Sequence, residues 1–431
     1  MGILLQNAAL LDGTGLRDIL VEDGRIAAAA PGLPVREGTQ TFACGGRLVL
    51  PGLVNVHTHL DKSGLAGRVS GGGGTIGEAR RALLAYKREM TKEDIKARAK
   101  QTALDSVRCG VTALRTHVDV DPVVGLRGIE ALLELREELK GLLTLQVVAF
   151  PQEGITEAPG TYELMREALR MGADIVGGHL SIAADCAEHA ARVFDLAEEF
   201  GREVDVHVDY DIQRCYAAAS VHADGAAYPD ALGVVALCEE KLRRGFPLPV
   251  TAAHLCGLDC VAPELARNVI ALLRRAQVGV VALPPNNLYC NGREDPCNTR
   301  RGVTRLKDLL AGGVNTLFAP DNIRDPFNPL GTPDMIQNAI LTAYACHMAG
   351  ERDYRLLLEL CTGRAAALMG LEDYGLSPGC RANIAVLDAR TPVQALAEHA
   401  GVAALFRDGV QILSAGREIR ERFGACSRAG D

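Results

Sequence analysis

The 431-residue chain contains no tryptophan, and all its aromatic residues together make up only 4% of it. So few flat rings cannot furnish a platform on which successive bases stack. Positive charge is short as well: 46 Lys and Arg stand against 54 Asp and Glu, a formal net charge of -8. A basic stripe to follow a phosphate backbone is therefore missing, and nucleic acid is excluded as a partner. The opening "MGILLQNAALLDGTG" has no basic n-region, and Asp12 breaks its apolar run too early for a signal peptide or membrane helix. Gln6 stands where N-myristoylation requires Ser or Thr. These features predict a cytoplasmic protein with no membrane partner. CxxC is absent too. The 13 cysteines are scattered and odd in number, with Cys256 and Cys260 the closest pair, which predicts reduced, mostly buried thiols rather than a disulfide framework.

What is present is a regular alternation. Eight short β-rich runs, at 53–59, 111–118, 143–150, 173–180, 203–209, 249–255, 279–284 and 315–321, are separated by stretches of helical period. Those stretches include 92–109, 128–142, 184–200, 231–245 and 263–276. Strand-then-helix alternation sustained over this length predicts an α/β fold, a distorted (β/α)8 TIM barrel, whose site lies at the C-terminal ends of the strands. Both chain ends read differently, as short strands joined by Gly and Asp turns. Residues 1–50 and 371–431 are expected to form one small β-sandwich domain, with the barrel spanning 51–370. The "SGGGG" at 70–74 reads as a flexible loop or as a lid over the barrel mouth.

Ten histidines occur, and five of them (His57, His59, His117, His207 and His254) fall at or near the end of a predicted strand. In "GLVNVHTHLDKS" the strand period of two projects His57 and His59 from one face. Two adjacent buried imidazoles gain little from packing and much from a shared cation. Asp321 ends the eighth run. His57, His59, His207 and Asp321 together supply three imidazoles and a carboxylate, a set suited to one divalent metal ion, zinc or iron, with a position left for water. His117 reads equally as pocket lining or barrel brace, and His179 as structural before a substrate contact. His189, His222, His347 and His399 read as background.

"PGLVNVHTHLDKS", "RTHVDVD", "LQVVAFPQEGI", "VDVHVDYD", "VTAAHL" and "PDNIRDPFNPLG" follow one another in the order of the amidohydrolase superfamily. The set resembles its cytosine deaminase branch, over nearly the whole chain. The resemblance implies that His57, His59, His207 and Asp321 hold the metal and that His254 meets the attacking water and the tetrahedral centre. It also implies that Gln152 hydrogen-bonds the ring of a small heterocyclic substrate and that the enzyme is a homo-oligomer. Two-metal relatives carry a carboxylated lysine on the fourth strand, whereas this chain has "IVGGHLS", which favours one metal.

Two departures bear on substrate. Cytosine deaminases place a glutamate three residues after the strand-five histidine, where this chain has Tyr210, a far weaker acid. Asp209 or Asp211 could serve the ring instead, or be ordinary loop carboxylates. Asn322 after Asp321, with "HTHLDKS", is similar to the N-isopropylammelide amidohydrolases, which release an alkylamine from a triazine. The expected reaction is therefore hydrolysis of a C–N bond on a cytosine-like aminopyrimidine with release of ammonia. Alkylamine release from an aminotriazine, a phosphoesterase and a catalytically inactive relative are the competing readings. The zinc deaminases with P-C-x-x-C are excluded by the cysteine spacing.

Overall fold

The computed structural model describes residues 2–69, 75–212 and 218–416. The glycine run at 70–74 and the last fifteen residues of the expected small domain lie outside them.

Eight parallel strands form the central sheet, in chain order across it: Leu53–Thr58, Val111–Asp119, Thr144–Phe150, Ile175–His179, Glu203–Val208, Val250–His254, Val278–Ala282 and Thr316–Phe318. They are numbered one to eight below. Each coincides with a run read from the sequence. Strand two is buried at every position, as expected where helices cover one face of a parallel sheet and a packed interior fills the other. Polar groups enter this interior too: Arg115 on strand two, fully buried, donates to Asp205 of strand five at 2.9 Å and Glu203 at 3.1 Å.

The barrel closes where the chemistry will lie. Strands eight and one do not form a continuous ladder; they meet in an isolated parallel bridge between Thr58 and Asp321. Asp321 N donates to His57 O at 3.2 Å, and Thr58 Oγ1 donates to Asp321 O at 2.7 Å. The backbone of one expected ligand thus joins the backbone of another.

The outer helices Lys92–Arg108, Arg127–Glu138, Cys186–Phe200, Gly233–Arg244 and Pro263–Ala276 match the helical periods. Ile76–Tyr86 and Thr161–Met171 were not anticipated. For the first a signal existed: "TIGE" is a capping box, with Thr75 and Glu78 bonding each other's backbone amides. Met335–Ala345, Glu351–Leu360 and Gly363–Leu368 follow strand eight.

Segments from both chain ends join in one eight-stranded sheet, in which Leu48–Pro51 pairs antiparallel with Ile384–Leu387. Its own core contains Leu5, Ile19, Ile26, Val49, Ile384 and Phe406. Two of its hairpins turn on Asp-Gly. Asp23 and Gly24, and Asp408 and Gly409, all have positive φ, between 49° and 76°, as two-residue turns matched to strand twist require. The eleven described cysteines are free thiols. Among the described residues no helix is long and apolar enough to cross a membrane.

Candidate active site

The C-terminal ends of strands one, five and six and the turn after strand eight converge on one point. His57 and His59 come from strand one and the residue after it, His207 from strand five, His254 from the last position of strand six, and Asp321 from beyond strand eight. All five side chains are buried. Asp321 Oδ1 lies 3.4 Å from His57 Nε2 and 3.3 Å from His59 Nε2. His59 Nε2 and His207 Nε2 are 3.1 Å apart. Donor atoms of His57, His207, His254 and Asp321 all lie within 4.8 Å of one another. His254, expected beside the metal site, is therefore drawn in as closely as the proposed ligands.

Hydrogen bonding does not account for this crowding. Neither ring nitrogen of His57, nor Nδ1 of His59 or His207, nor Asp321 Oδ1 has a hydrogen-bond partner, yet all are buried. Such groups are rarely left unpaired. Burial lowers the basicity of all four imidazoles, well below the ordinary value for His59 and His207, with Lys62 beside His59 and His57 beside His207 adding to it. Burial alone would raise Asp321, but the His57 and His59 rings beside it and the charge of His254 hold it well below the carboxylate range. Neutral imidazoles and an ionised carboxylate, lone pairs converging, are the protonation states a divalent cation selects. The residues fit such an ion.

Two asparagines missed by the sequence reading hold Asp321 and His254. Asn286 Nδ2 donates to Asp321 Oδ2 at 2.6 Å, and Asn287 Oδ1 lies 3.0 Å from His254 Nδ1. Both sit on the helix Pro284–Cys290, which follows strand seven directly. His254 and Asp321 themselves have φ of 74° and 65°, an uncommon conformation that places each side chain at its turn.

The surroundings resolve several alternatives. His117 braces the barrel: its ring centroid is 4.0 Å from that of His57, its Nε2 is 3.3 Å from Asp205 Oδ1, and Asp205 is held by Arg115. Gln152 lines the pocket in front of the cluster, as does Tyr210, whose ring centroid is 5.6 Å from that of His254. Asp209 is placed elsewhere. Its Oδ1 accepts from Gly233 N at 2.8 Å and its Oδ2 from Val234 N at 3.1 Å, so the carboxylate sits at the N-terminus of Gly233–Arg244. This contact caps the helix; a ring contact and a loop carboxylate were the two readings left open for Asp209. His179, read as structural before a substrate contact, lines the pocket, its Nδ1 2.8 Å from Gln152 O. His189, read as background, is buried and accepts from the His179 amide through Nε2 at 3.0 Å.

A chain of buried charge runs beside the pocket. Lys62 Nζ donates to Asp119 Oδ1 at 2.7 Å, and Lys87 Nζ lies 2.8 Å from Asp119 Oδ2 and 2.7 Å from Asp121 Oδ2. Burial and the neighbouring Asp119 push Asp61 up to about 6, while the two lysines hold Asp119 itself below its usual range against the effect of burial. His59, Asp61 and Asp119 also cluster closely enough for a metal, but Asp119 is already paired with two ammonium groups. "HTHLDKS" held both Asp61 and Lys62 in plain view.

The protein-family model described as Amidohydrolase family matches residues 40–412. The chain belongs to the amidohydrolase family. This amidohydrolase is 29% identical over 418 residues to the N-isopropylammelide isopropyl amidohydrolase of Pseudomonas sp. (strain ADP), covering 94% of this chain and 96% of that one. It superposes on the 5-methylcytosine deaminase of Klebsiella pneumoniae liganded with 5-fluorocytosine at a TM-score of 0.88 and 32% identity, over 98% and 99% of the two chains. For N-isopropylammelide isopropylaminohydrolase from Burkholderia multivorans ATCC 17616 the TM-score is 0.81 and the identity 29%, over 96% and 98%. Members of this family use a divalent metal, and the buried His and Asp cluster of this chain could hold one.

Proposed function

We propose that this amidohydrolase deaminates a cytosine-like aminopyrimidine, releasing ammonia and leaving a carbonyl on the ring. The observation that carries the reading is the buried cluster of His57, His59, His207, His254 and Asp321 facing a pocket lined by Gln152 and Tyr210. The likeness to a 5-methylcytosine deaminase over nearly the full chain supports the ring class.

In this reading His57, His59, His207 and Asp321 hold one divalent ion, zinc or iron. Bound there, the ion would supply a water whose pKa is lowered to about 7 and a Lewis acid for the reacting centre. Asp321 takes the proton of the attacking water and passes it to the leaving nitrogen. His254, oriented by Asn287, steadies the negative charge that develops on the tetrahedral centre. Gln152 grips the ring and Tyr210 covers its side. A second cation bridged through strand four finds no support: a Cβ on Gly177 would stand 2.4 Å from Ala149 O, and one on Gly178 2.8 Å from Val206 Cγ1.

Tyr210, where a glutamate would protonate a ring nitrogen, favours one second reading, amine release from an aminotriazine such as an alkylammelide. Metal analysis of the purified protein, with ammonia and alkylamine release measured on a panel of aminopyrimidines and aminotriazines, separates the two. Ammonia from the pyrimidines supports deamination. Alkylamine from the triazines alone replaces it, and metal-loaded protein inactive on both panels overturns both readings.

A further inference from the structure

Lys62 is an unusual residue to find at the wall of this pocket, because it is 1% exposed and yet contributes to the lining. Among the described residues its ammonium has two polar partners, Asp119 Oδ1 at 2.7 Å and Gln152 Oε1 at 2.8 Å. The first is a fixed anchor, since Lys87 holds the other oxygen of Asp119 and the Asp119 amide donates to Asp61 Oδ2 at 2.9 Å. The second decides the orientation of a carboxamide. An ammonium has only donors, so the end of Gln152 that faces it must be the oxygen. Gln152 Nε2 is then the end left over. The ammonium itself also stands 5.6 and 5.7 Å from the Phe150 and Phe327 ring centroids.

We propose that Lys62 is a positioning and specificity-determining residue: by holding Gln152 Oε1 it turns the amide nitrogen toward the substrate, so that this wall of the pocket offers donors only and selects rings bearing an oxo group there. This rests on the proposed ring chemistry and narrows it to oxo-substituted aminoazines. An oxo oxygen accepts from the amide nitrogen. An amino group at the same ring position sets donor against donor, leaving buried N–H groups unpaired, a mismatch that discriminates far more strongly than a missing methylene does. Without Lys62 the carboxamide is free to rotate by 180° and present either end, and the discrimination is lost.

Calorimetry with 2-oxopyrimidine and 2-aminopyrimidine, neither carrying the 4-amino leaving group, tests this on the metal-loaded enzyme. The wild type is expected to prefer the oxo ring at least tenfold, on the order of one hydrogen bond to a charged or oriented donor. In Lys62→Met the preference collapses toward unity, in Lys62→Arg it survives, and in Gln152→Glu, which presents a carboxylate oxygen in place of the amide nitrogen, it inverts. Retention of the wild-type ratio in Lys62→Met, or an undiminished oxo preference in Gln152→Glu, overturns the inference, as does a wild type indifferent to the two rings. Should Lys62→Met fail to fold, Gln152→Glu decides. A wild type with the expected preference that releases no amine from any substrate ends the functional reading and leaves this one standing; amine release with an unmoved ratio in Lys62→Met does the reverse.

Discussion

Asp321 combines three tasks at the scale of a single residue. Its amide closes the barrel on His57, its Oδ1 faces two imidazoles and its Oδ2 is held by Asn286. Asp321→Asn keeps the shape and removes the proposed base. Ammonia release is expected to fall about 100- to 10,000-fold, the usual worth of a positioned proton acceptor, while circular dichroism stays that of the native fold. A variant with near wild-type turnover would remove Asp321 from the reaction. Asp325, four residues on, makes a prediction about pH. Burial pushes its carboxyl up to about 7, even though Asn322, Phe327 and Asn328 donate to it. A carboxyl raised in the folded state keeps its proton there after the unfolded chain has lost it, so stability falls as pH rises toward 7 and the penalty is complete above it. Between pH 5 and 8 the wild type should lose roughly 2 to 3 kcal/mol relative to Asp325→Asn, read from urea unfolding of both. A difference that stays flat over this range would show the carboxylate ionised throughout.

At the scale of elements, the site depends on strands that approach unusually closely. Strand four can lie against strand three only because residue 177 has no side chain, a Cβ there meeting the Ala149 carbonyl at 2.4 Å. Gly177→Ala should lower stability by about 1 to 3 kcal/mol, as overpacking in a tight core does, and should shift His179 and with it the Gln152 backbone. The measurements are a urea midpoint and the affinity for a ring ligand. Unchanged values for both would mean the strands can separate at no expense. The eight strands of the barrel were legible from the chain because each is a short apolar run bounded by turn residues, and HxH was legible because strand period places both rings on one face. Asp209 was not. In "HVDYD" nothing distinguishes a carboxylate that points into the barrel mouth from one that turns to the helix beginning at Gly233, because a positive φ of 52° at that residue sets the direction. Lys62, Asn286 and Asn287 were overlooked for the same reason, since their partners lie 57, 35 and 33 residues away.

For the whole molecule, the seam between strands one and eight is the weak point of the barrel, with an isolated bridge in place of a ladder. A cation held by residues from strands one and five and the turn after strand eight would tie that seam across the barrel mouth. Chelation is therefore expected to lower the melting temperature and to speed amide exchange at the ends of strands one and eight before the rest of the sheet. The loss approaches about 4 kcal/mol where free metal had exceeded its dissociation constant a thousandfold. Identical melting of loaded and stripped protein would mean that the cluster holds no structural ion.

The amino-acid sequence by itself determined the architecture and the chemical type of the site, because apolar periodicity and the spacing of histidines are local properties that survive without a fold. It set out eight strands, their order, and the strand ends at which His57, His59, His207, His254 and Asp321 would emerge. Only the tertiary structure decided which polar groups meet: that Asp209 serves a helix, that His117 braces Asp205, that an asparagine pair holds Asp321 and His254, and that Lys62 orients Gln152. Hydrogen bonds are directional and reach about 3 Å. Which donor finds which acceptor therefore depends on backbone positions that distant segments settle together as the barrel closes.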